Sequence, residues 1–180
     1  MKNDAIALAN ELIDKSKNSD VGDLTILKLM KLVYIAHGLC LSLLNGRSLL
    51  NPRYDWVEAW DLGPVIPSVY HTFKHNGGNK ITEHGVILKR GETAEEINCI
   101  EPKLEGAEER YVVDITWKLY GRYTANQLVT ILHRNGTPWS RVYVKGQNRR
   151  IPDSITRSYY DTLVDITLKN ARREQADGLR

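Results

Sequence analysis

Apolar residues crowd one stretch of this 180-residue chain. Across Leu24–Asn45, LTILKLMKLVYIAHGLCLSLLN, a helical step of about 100° per residue gathers Lys28, Lys31, Gly38, Ser42 and Asn45 into one wedge. Apart from Thr25 and His37, every other direction is apolar. A helix apolar on most sides either crosses a membrane or forms the centre of a globular core. Lys28, Lys31, His37 and Gly38 argue against a span, where a mid-helix lysine costs about 2.5–3.5 kcal/mol. The pattern predicts a buried central helix with other helices laid around it. Lys28 and Lys31 are expected to run their stems along the core and keep their ammonium groups in water.

The flanking segments carry weaker patterns. Ala5, Leu8, Ala9 and Leu12 follow i, i+3, i+4, i+7 spacing and predict a first helix over 4–17, with Asn10 off the stripe. SKNSDVGD then stops it, and Asp23 or Thr25 caps the central helix. Asn45-Gly46 is expected to end that helix in a left-handed turn. DWVEAW, residues 55–60, alternates like a short strand. Leu62-Gly63-Pro64-Val65 is expected to turn sharply, and Pro67 to open a third helix with Ile66, Val69, Tyr70 and Phe73 inward. Residues 80–106 read as a strand or small hairpin followed by an acidic loop or short helix, the most variable and mobile part of the chain. A fourth helix is expected at Ala107–Tyr120, with Val112, Ile115 and Leu119 inward and Trp117 facing away. Thr124 caps a fifth, carrying Ala125, Leu128, Val129 and Leu132. Asn135-Gly136-Thr137-Pro138 breaks it, and KGQNRR forms a basic connector. Pro152-Asp153-Ser154 opens a last helix lined by Ile155, Tyr159, Leu163 and Ile166. The expected fold is mainly α: a compact helical domain around the buried helix at about 24–45, with a small β element. One domain is expected over 1–170, with 171–180 a polar tail that frays.

Composition adds limits. The chain is 42% hydrophobic and 26% charged, which argues against wholesale disorder. A net charge of +3 is too small to imply nucleic acid by itself. Its distribution is uneven: 92–109 is acidic, and 141–180 has a surplus of Lys and Arg. Cys40 and Cys99 form no disulfide framework. The N-terminus lacks a secretory pattern, so a cytoplasmic protein is expected.

Candidate chemistry is sparse. Phosphate loops of the GxxxxGK[ST] and GxGxxG kinds and the G-x-S-x-G elbow are absent. His71 and His75 stand at i, i+4, but a zinc protease would put Glu at position 72, where Thr72 stands, and no third ligand is evident. His37 and Cys40 share the central helix. A catalytic thiol needs an accessible thiolate, whereas Cys40 sits among apolar neighbours, so a hydrogen-bonded core histidine and an inert thiol are expected. Glu58, if its strand packs on the central helix, would need a cation such as Lys31 or Lys28; the other reading is a solvent-facing strand carboxylate. Trp56, Trp60, Trp139, Tyr34 and Tyr70 fit a core or an interface, since Trp and Tyr often anchor protein contacts.

The motifs also occur in a familiar order: LTILKLMKLVYIAHG, EAWDLGPVIPSVYHTFK, LHRNGTPW, then I-x-x-x-Y-Y on a helix. The chain resembles the Panacea domain, the SocA-type antitoxin domain, across about residues 5–165. The resemblance rests on Lys28, Lys31, Tyr34, Glu58, Trp60, Gly63, Pro64, Val65, Tyr70, His133, Pro138 and Trp139. Asp61-Leu62 departs from it, standing where an aromatic commonly precedes the Gly-Pro. The resemblance implies a protein that neutralises a neighbouring-gene toxin by binding it, with no catalytic residue, cofactor or metal. Its motif residues would hold the fold or contact the partner. Toxin contacts would then fall on 80–106 and the C-terminal tail. A SocA-type member also delivers its toxin to a protease, so an adaptor that engages a protease complex is an alternative. A nucleic-acid-binding regulator is another, using Arg149, Arg150, Arg172 and Arg173 of the C-terminal basic region. An enzyme built on His37, Glu58 or His133 is a fourth reading. No membrane partner is implied.

Overall fold

The computed structural model describes residues 4–21, 24–90 and 97–177. Asp23, the alternative cap, and residues 91–96 of the acidic run lie outside the described residues. The protein is mainly α with a small β element. Among the described residues the order is α1 (Ala5–Lys17), α2 (Ile26–Leu43), β1 (Val57–Trp60), β2 (Gly63–Val65), α3 (Pro67–Phe73), β3 (Ile87–Arg90), β4 (Ile97–Ile100), α4 (Ala107–Tyr120), α5 (Ala125–Leu132), α6 (Pro138–Val142), β5 (Arg149–Ile151) and α7 (Asp153–Asp177). A single 3₁₀ turn, Lys74–Asn76, extends α3.

The central helix is where the pattern placed it. α2 packs against α1, α3, α4, α5, α7 and β2. It is long and apolar enough to cross a membrane, but most of it is buried inside the protein. Its lysine wedge does not reach water. Lys28 is buried and Lys31 has 0% exposure. The reason is that the α4–α5 junction and β2 close over the wedge and present carbonyls to it: Lys28 Nζ donates to Gly121 O at 2.6 Å, and Lys31 Nζ to Pro64 O at 2.9 Å. Thr25 holds the N-cap position, but its side chain makes no capping hydrogen bond. At the other end Asn45 and Gly46 take φ of 51° and 84°, and Gly46 N donates to Leu41 O.

The small sheet has order β2-β1-β5, antiparallel throughout. Trp60 pairs with Gly63, so the chain reverses at Asp61-Leu62, one step earlier than the sequence suggested, and Gly63–Val65 is a strand. β2 is an edge, where Pro64 removes no ladder donor that a neighbour needs. The supposed basic connector supplies β5, so β1 is paired on both sides. β3 and β4 form a separate hairpin, Ile87 opposite Ile100.

Two helix faces differ from the periodicity. On α4 the buried residues are Glu109, Val112, Val113 and Thr116; Leu119 is 53% exposed and Trp117 packs against the core. The stripe is rotated because α4 meets both α1 and α2. On α7 the buried residues are Thr156 and Tyr160, with Ile166 51% exposed. The rotation follows from Gly38. Tyr160 packs onto that glycine, so close that a Cβ there would stand 2.2 Å from Tyr160 Cε2. Tyr34 meets the same ring edge-on at 6.2 Å.

α1 is also more buried than one stripe requires, with Ile6, Ala7 and Ile13 inward besides Ala5, Leu8, Ala9 and Leu12. Asn10, assigned to the outer face by its polarity, is buried: its Nδ2 donates to Gly85 O and Pro102 O, and its Oδ1 accepts from Gly85 N. Every hydrogen bond of that amide goes to the 80–106 segment, which is how the segment is tied to α1. Asp4 caps α1 through Ile6 N at 2.8 Å, while Asp55 accepts from Ala5 N, Asn51 N and Ser68 Oγ.

Gly→Ala in a helix interior normally stabilises by about 1 kcal/mol. At Gly38 the sign should reverse: Gly38→Ala is expected to destabilise by about 1–3 kcal/mol in urea unfolding, because the Tyr160 ring must move. A stabilised variant would mean that the α2–α7 contact is loose.

Candidate functional site

Lys31, Trp60, Gly63, Pro64, His133, Pro138 and Trp139, all expected site residues, meet at one junction, where α2, the β1–β2 hairpin, the end of α5 and α6 converge. α5 starts with a capping box, Thr124 with Gln127, and ends at His133, which is its C-cap. Thr137 then caps α6 by accepting from Ser140 N, with Pro138 in its first turn, and this fixes Trp139. The Trp139 indole is 8% exposed and stacks on His133, centroids 3.7 Å apart and planes 4° from parallel. Its other face carries Tyr143 at 4.4 Å. Trp139 Nε1 donates to Trp60 O at 2.8 Å, and Tyr143 OH donates to Asp61 Oδ1 at 2.9 Å. Together these bonds hold the hairpin tip on α6.

Beneath the tip lie Lys31 and Gly63. Gly63 has φ of +102°, a left-handed conformation that L side chains rarely adopt. A Cβ there would stand 3.1 Å from Lys31 Nζ and 3.3 Å from His133 Nε2, so the glycine lets two nitrogens approach the strand. Burial lowers the Lys31 amine from 10.5 to about 7. Burial also lowers the His133 imidazole, with the neighbouring Lys31 charge adding to the effect. Among the described residues His133 Nε2 has no hydrogen-bond partner, although it is buried. Two nitrogens that both resist protonation face one backbone turn. Lys31 itself has no exposed surface.

Glu58 lies on the outward face of its strand, as the second reading had it, but half-buried and bonded by two indoles. Strand alternation sends Val57 and Ala59 inward and Glu58 to the opposite face, away from both lysines. Its carboxylate accepts from Trp56 Nε1 at 2.6 Å and Trp60 Nε1 at 2.7 Å, so two indoles replace the anticipated cation. Arg150, opposite Glu58 in register on β5, stacks over Trp56 at 4.1 Å. Tyr70 meets Trp60 edge-on at 5.0 Å, and Val65 is buried on β2. Lys28 and Tyr34 lie away from the junction: Lys28 at the α4–α5 corner, 5.9 Å from the Trp117 ring, and Tyr34 against Tyr160.

Other candidates resolve as structure. His37 Nε2 lies 3.1 Å from Asp153 Oδ1 and so ties α2 to the first turn of α7. Burial pushes Asp153 up, but the His37 bond and charge outweigh it and hold the carboxyl below its ordinary range. Burial pushes the Cys40 thiol up to about 12, so it is not a nucleophile at neutral pH. His71 packs beside Tyr70, and His75 lies past the end of α3 in the 3₁₀ turn, so the i, i+4 relation of a continuous helix is lost. Among the described residues no cluster of three His, Cys, Asp or Glu is placed to hold a metal.

The family profile described as "Antitoxin SocA-like, Panacea domain" matches residues 29–140. The chain belongs to this family. It is 37% identical over 136 residues to the protein named Antitoxin SocA of Caulobacter vibrioides (strain NA1000 / CB15N), a match covering 76% of this chain and 68% of that protein. No solved structure matches. The Panacea span holds the junction from Lys31 through Trp139, while Tyr143, Lys28, α1 and α7 lie outside it.

Sequence reasoning missed Asn10 and Asp55 and named Trp56 only as a core or interface aromatic. Asn10 stood in an apolar run of α1 and Trp56 two residues before Glu58 on an alternating strand, which were usable signals; nothing local marked Asp55 as bonded. A larger signal was charge. From Ile115 to Pro152 there is no Asp or Glu, while Lys118, Arg122, Arg134, Arg141, Lys145, Arg149 and Arg150 all lie there, and all seven are exposed.

Because the folded amine titrates near 7 and the unfolded one near 10.5, the folded chain binds fewer protons between those values. The penalty for burying the charge is full below pH 7 and fades as pH rises to 10.5. Lys31→Met should therefore abolish a rise in unfolding free energy of up to about 1.4 kcal/mol per pH unit within that window. Parallel stability curves for the two proteins would mean that the amine is hydrated. Trp139→Phe, which strands the Trp60 carbonyl, should cost about 1–3 kcal/mol by thermal or urea unfolding.

Proposed function

We propose that this chain is an antitoxin: it neutralises a toxin encoded by a neighbouring gene by binding it directly, in the cytoplasm, without catalysing a reaction. The observation that carries this reading is membership of the SocA-like Panacea family together with 37% identity to a protein named Antitoxin SocA. The geometry is in keeping with it. The side chains that catalysis would call on are engaged in holding elements together: His37 with Asp153, Glu58 with two indoles, Lys31 beneath the hairpin. Cys40 is buried with a raised pKa. A protein arranged this way acts through the surface it presents. An interface of about 1,600 Å² with a few aromatic and arginine anchors is enough for tight inhibition.

Expression of the adjacent gene alone should arrest growth, and co-expression of this chain should restore it. The two proteins should then co-purify as a stable complex. A harmless neighbour, or a toxic one that this chain neither rescues nor binds, overturns the reading.

A further inference from the structure

A groove of about 520 Å³ runs between α5 and α7, lined by Tyr120, Tyr123, Ile131, Arg134, Tyr159 and Leu163 among others. We infer that this groove is where the toxin docks, and that the toxin enters it with an acidic segment carrying at least one apolar side chain. The inference rests on the antitoxin reading and adds a place and a chemistry to it.

Three observations converge on this occupant. The first is charge. The groove carries one ionisable cation, Arg134, and no carboxylate. Arg134 lies in the Ile115–Pro152 stretch that holds seven exposed cations and no acid. None of those seven takes part in an ion pair among the described residues. Cations with no carboxylate paired to them on one segment favour an anionic surface and speed its encounter.

The second is the lining. Tyr123 is 40% exposed, and Tyr120 and Tyr159 are half-buried behind it. Tyrosines beside an arginine are the side chains that most often anchor protein interfaces, because each offers apolar area and a polar tip at little entropic cost. Neither the Tyr123 nor the Tyr159 hydroxyl has a hydrogen bond among the described residues that would tie it down.

The third is the wall. Beyond the groove, α7 stands in solvent on every side from 165 to 175. Ile166 continues the face of Tyr159 and Leu163 at i+7 and i+3, and is 51% exposed. A helical stretch of this length is marginal in water by itself. A partner segment seated in the groove would run on over Ile166 and cover it.

A nucleic acid is the competing polyanion. The groove favours a protein segment, since its tyrosine-rich lining holds one cation, Arg134, and a duplex needs several Lys or Arg contacts along its phosphates.

The test titrates purified wild type, Arg134→Glu, Tyr123→Ala and, on the far β3–β4 hairpin, Leu88→Ser against the adjacent-gene protein by calorimetry. Circular dichroism checks that each variant folds. Arg134→Glu should weaken binding by about 30-fold or more and Tyr123→Ala by about 10-fold, with Leu88→Ser unchanged within about twofold. Wild-type affinity should fall as salt rises, and the Arg134→Glu affinity should fall less. If both groove variants bind as tightly as wild type, the inference fails while the antitoxin reading stands. If wild type forms no complex with that protein, both fail. If Arg134→Glu leaves toxin binding intact and instead abolishes a salt-dependent shift of promoter duplex DNA, the groove belongs to nucleic acid and the inference is overturned.

Discussion

The constraint that shapes this protein is that α2 has no solvent side. Six other elements cover it, and the two lysines of its polar wedge are enclosed with it. A buried ammonium is tolerated only where its protons find acceptors and its charge can be relieved. Lys28 meets the first need at Gly121 O, one of the carbonyls that the end of α4 leaves without a helical partner. Lys31 meets it at Pro64 O, and its lowered pKa lets it shed the charge. Each lysine thereby fixes an element that has no covalent reason to be there: the α4–α5 corner in one case, the edge strand β2 in the other.

The hairpin is then closed from outside. Trp60 is the pivot, since its carbonyl accepts from Trp139, its indole donates to Glu58, and its ring meets Tyr70. Stacking of His133, Trp139 and Tyr143 makes a three-ring column that carries α5 and α6 as one block against the sheet. Gly63 matters because the column and Lys31 converge on the same backbone turn and leave no room for a side chain. Lys31, Trp60, Gly63, His133, Trp139 and Tyr143 are thereby joined in one unit that closes the domain over β2.

Patterns of period 3.6 are strong when one side of a helix is dry and the other wet, and that made α1 and α5 legible, whereas α2 was legible because it is apolar on nearly every side and β1 because DWVEAW alternates. It failed where a helix touches two neighbours. α4 and α7 each turned their buried stripe by part of a turn, α4 because both α1 and α2 press on it and α7 because Tyr160 sits on Gly38. β5 was unreadable because RRI has no alternation; its strand state exists only through pairing with β1, which is distant in sequence.

The sequence by itself determined the helical class, the central helix, the caps at Thr124 and Asn45-Gly46, and the motif order that marks the family, because each depends on neighbours within a turn or two. Only the tertiary structure decided which polar groups are partners. Lys31 with Pro64, Asn10 with Gly85 and Pro102, and His37 with Asp153 join residues whose pairing no local spacing encodes. A buried polar side chain takes whichever complementary group the packing of distant elements brings within about 3 Å, and that choice is made only when the core closes.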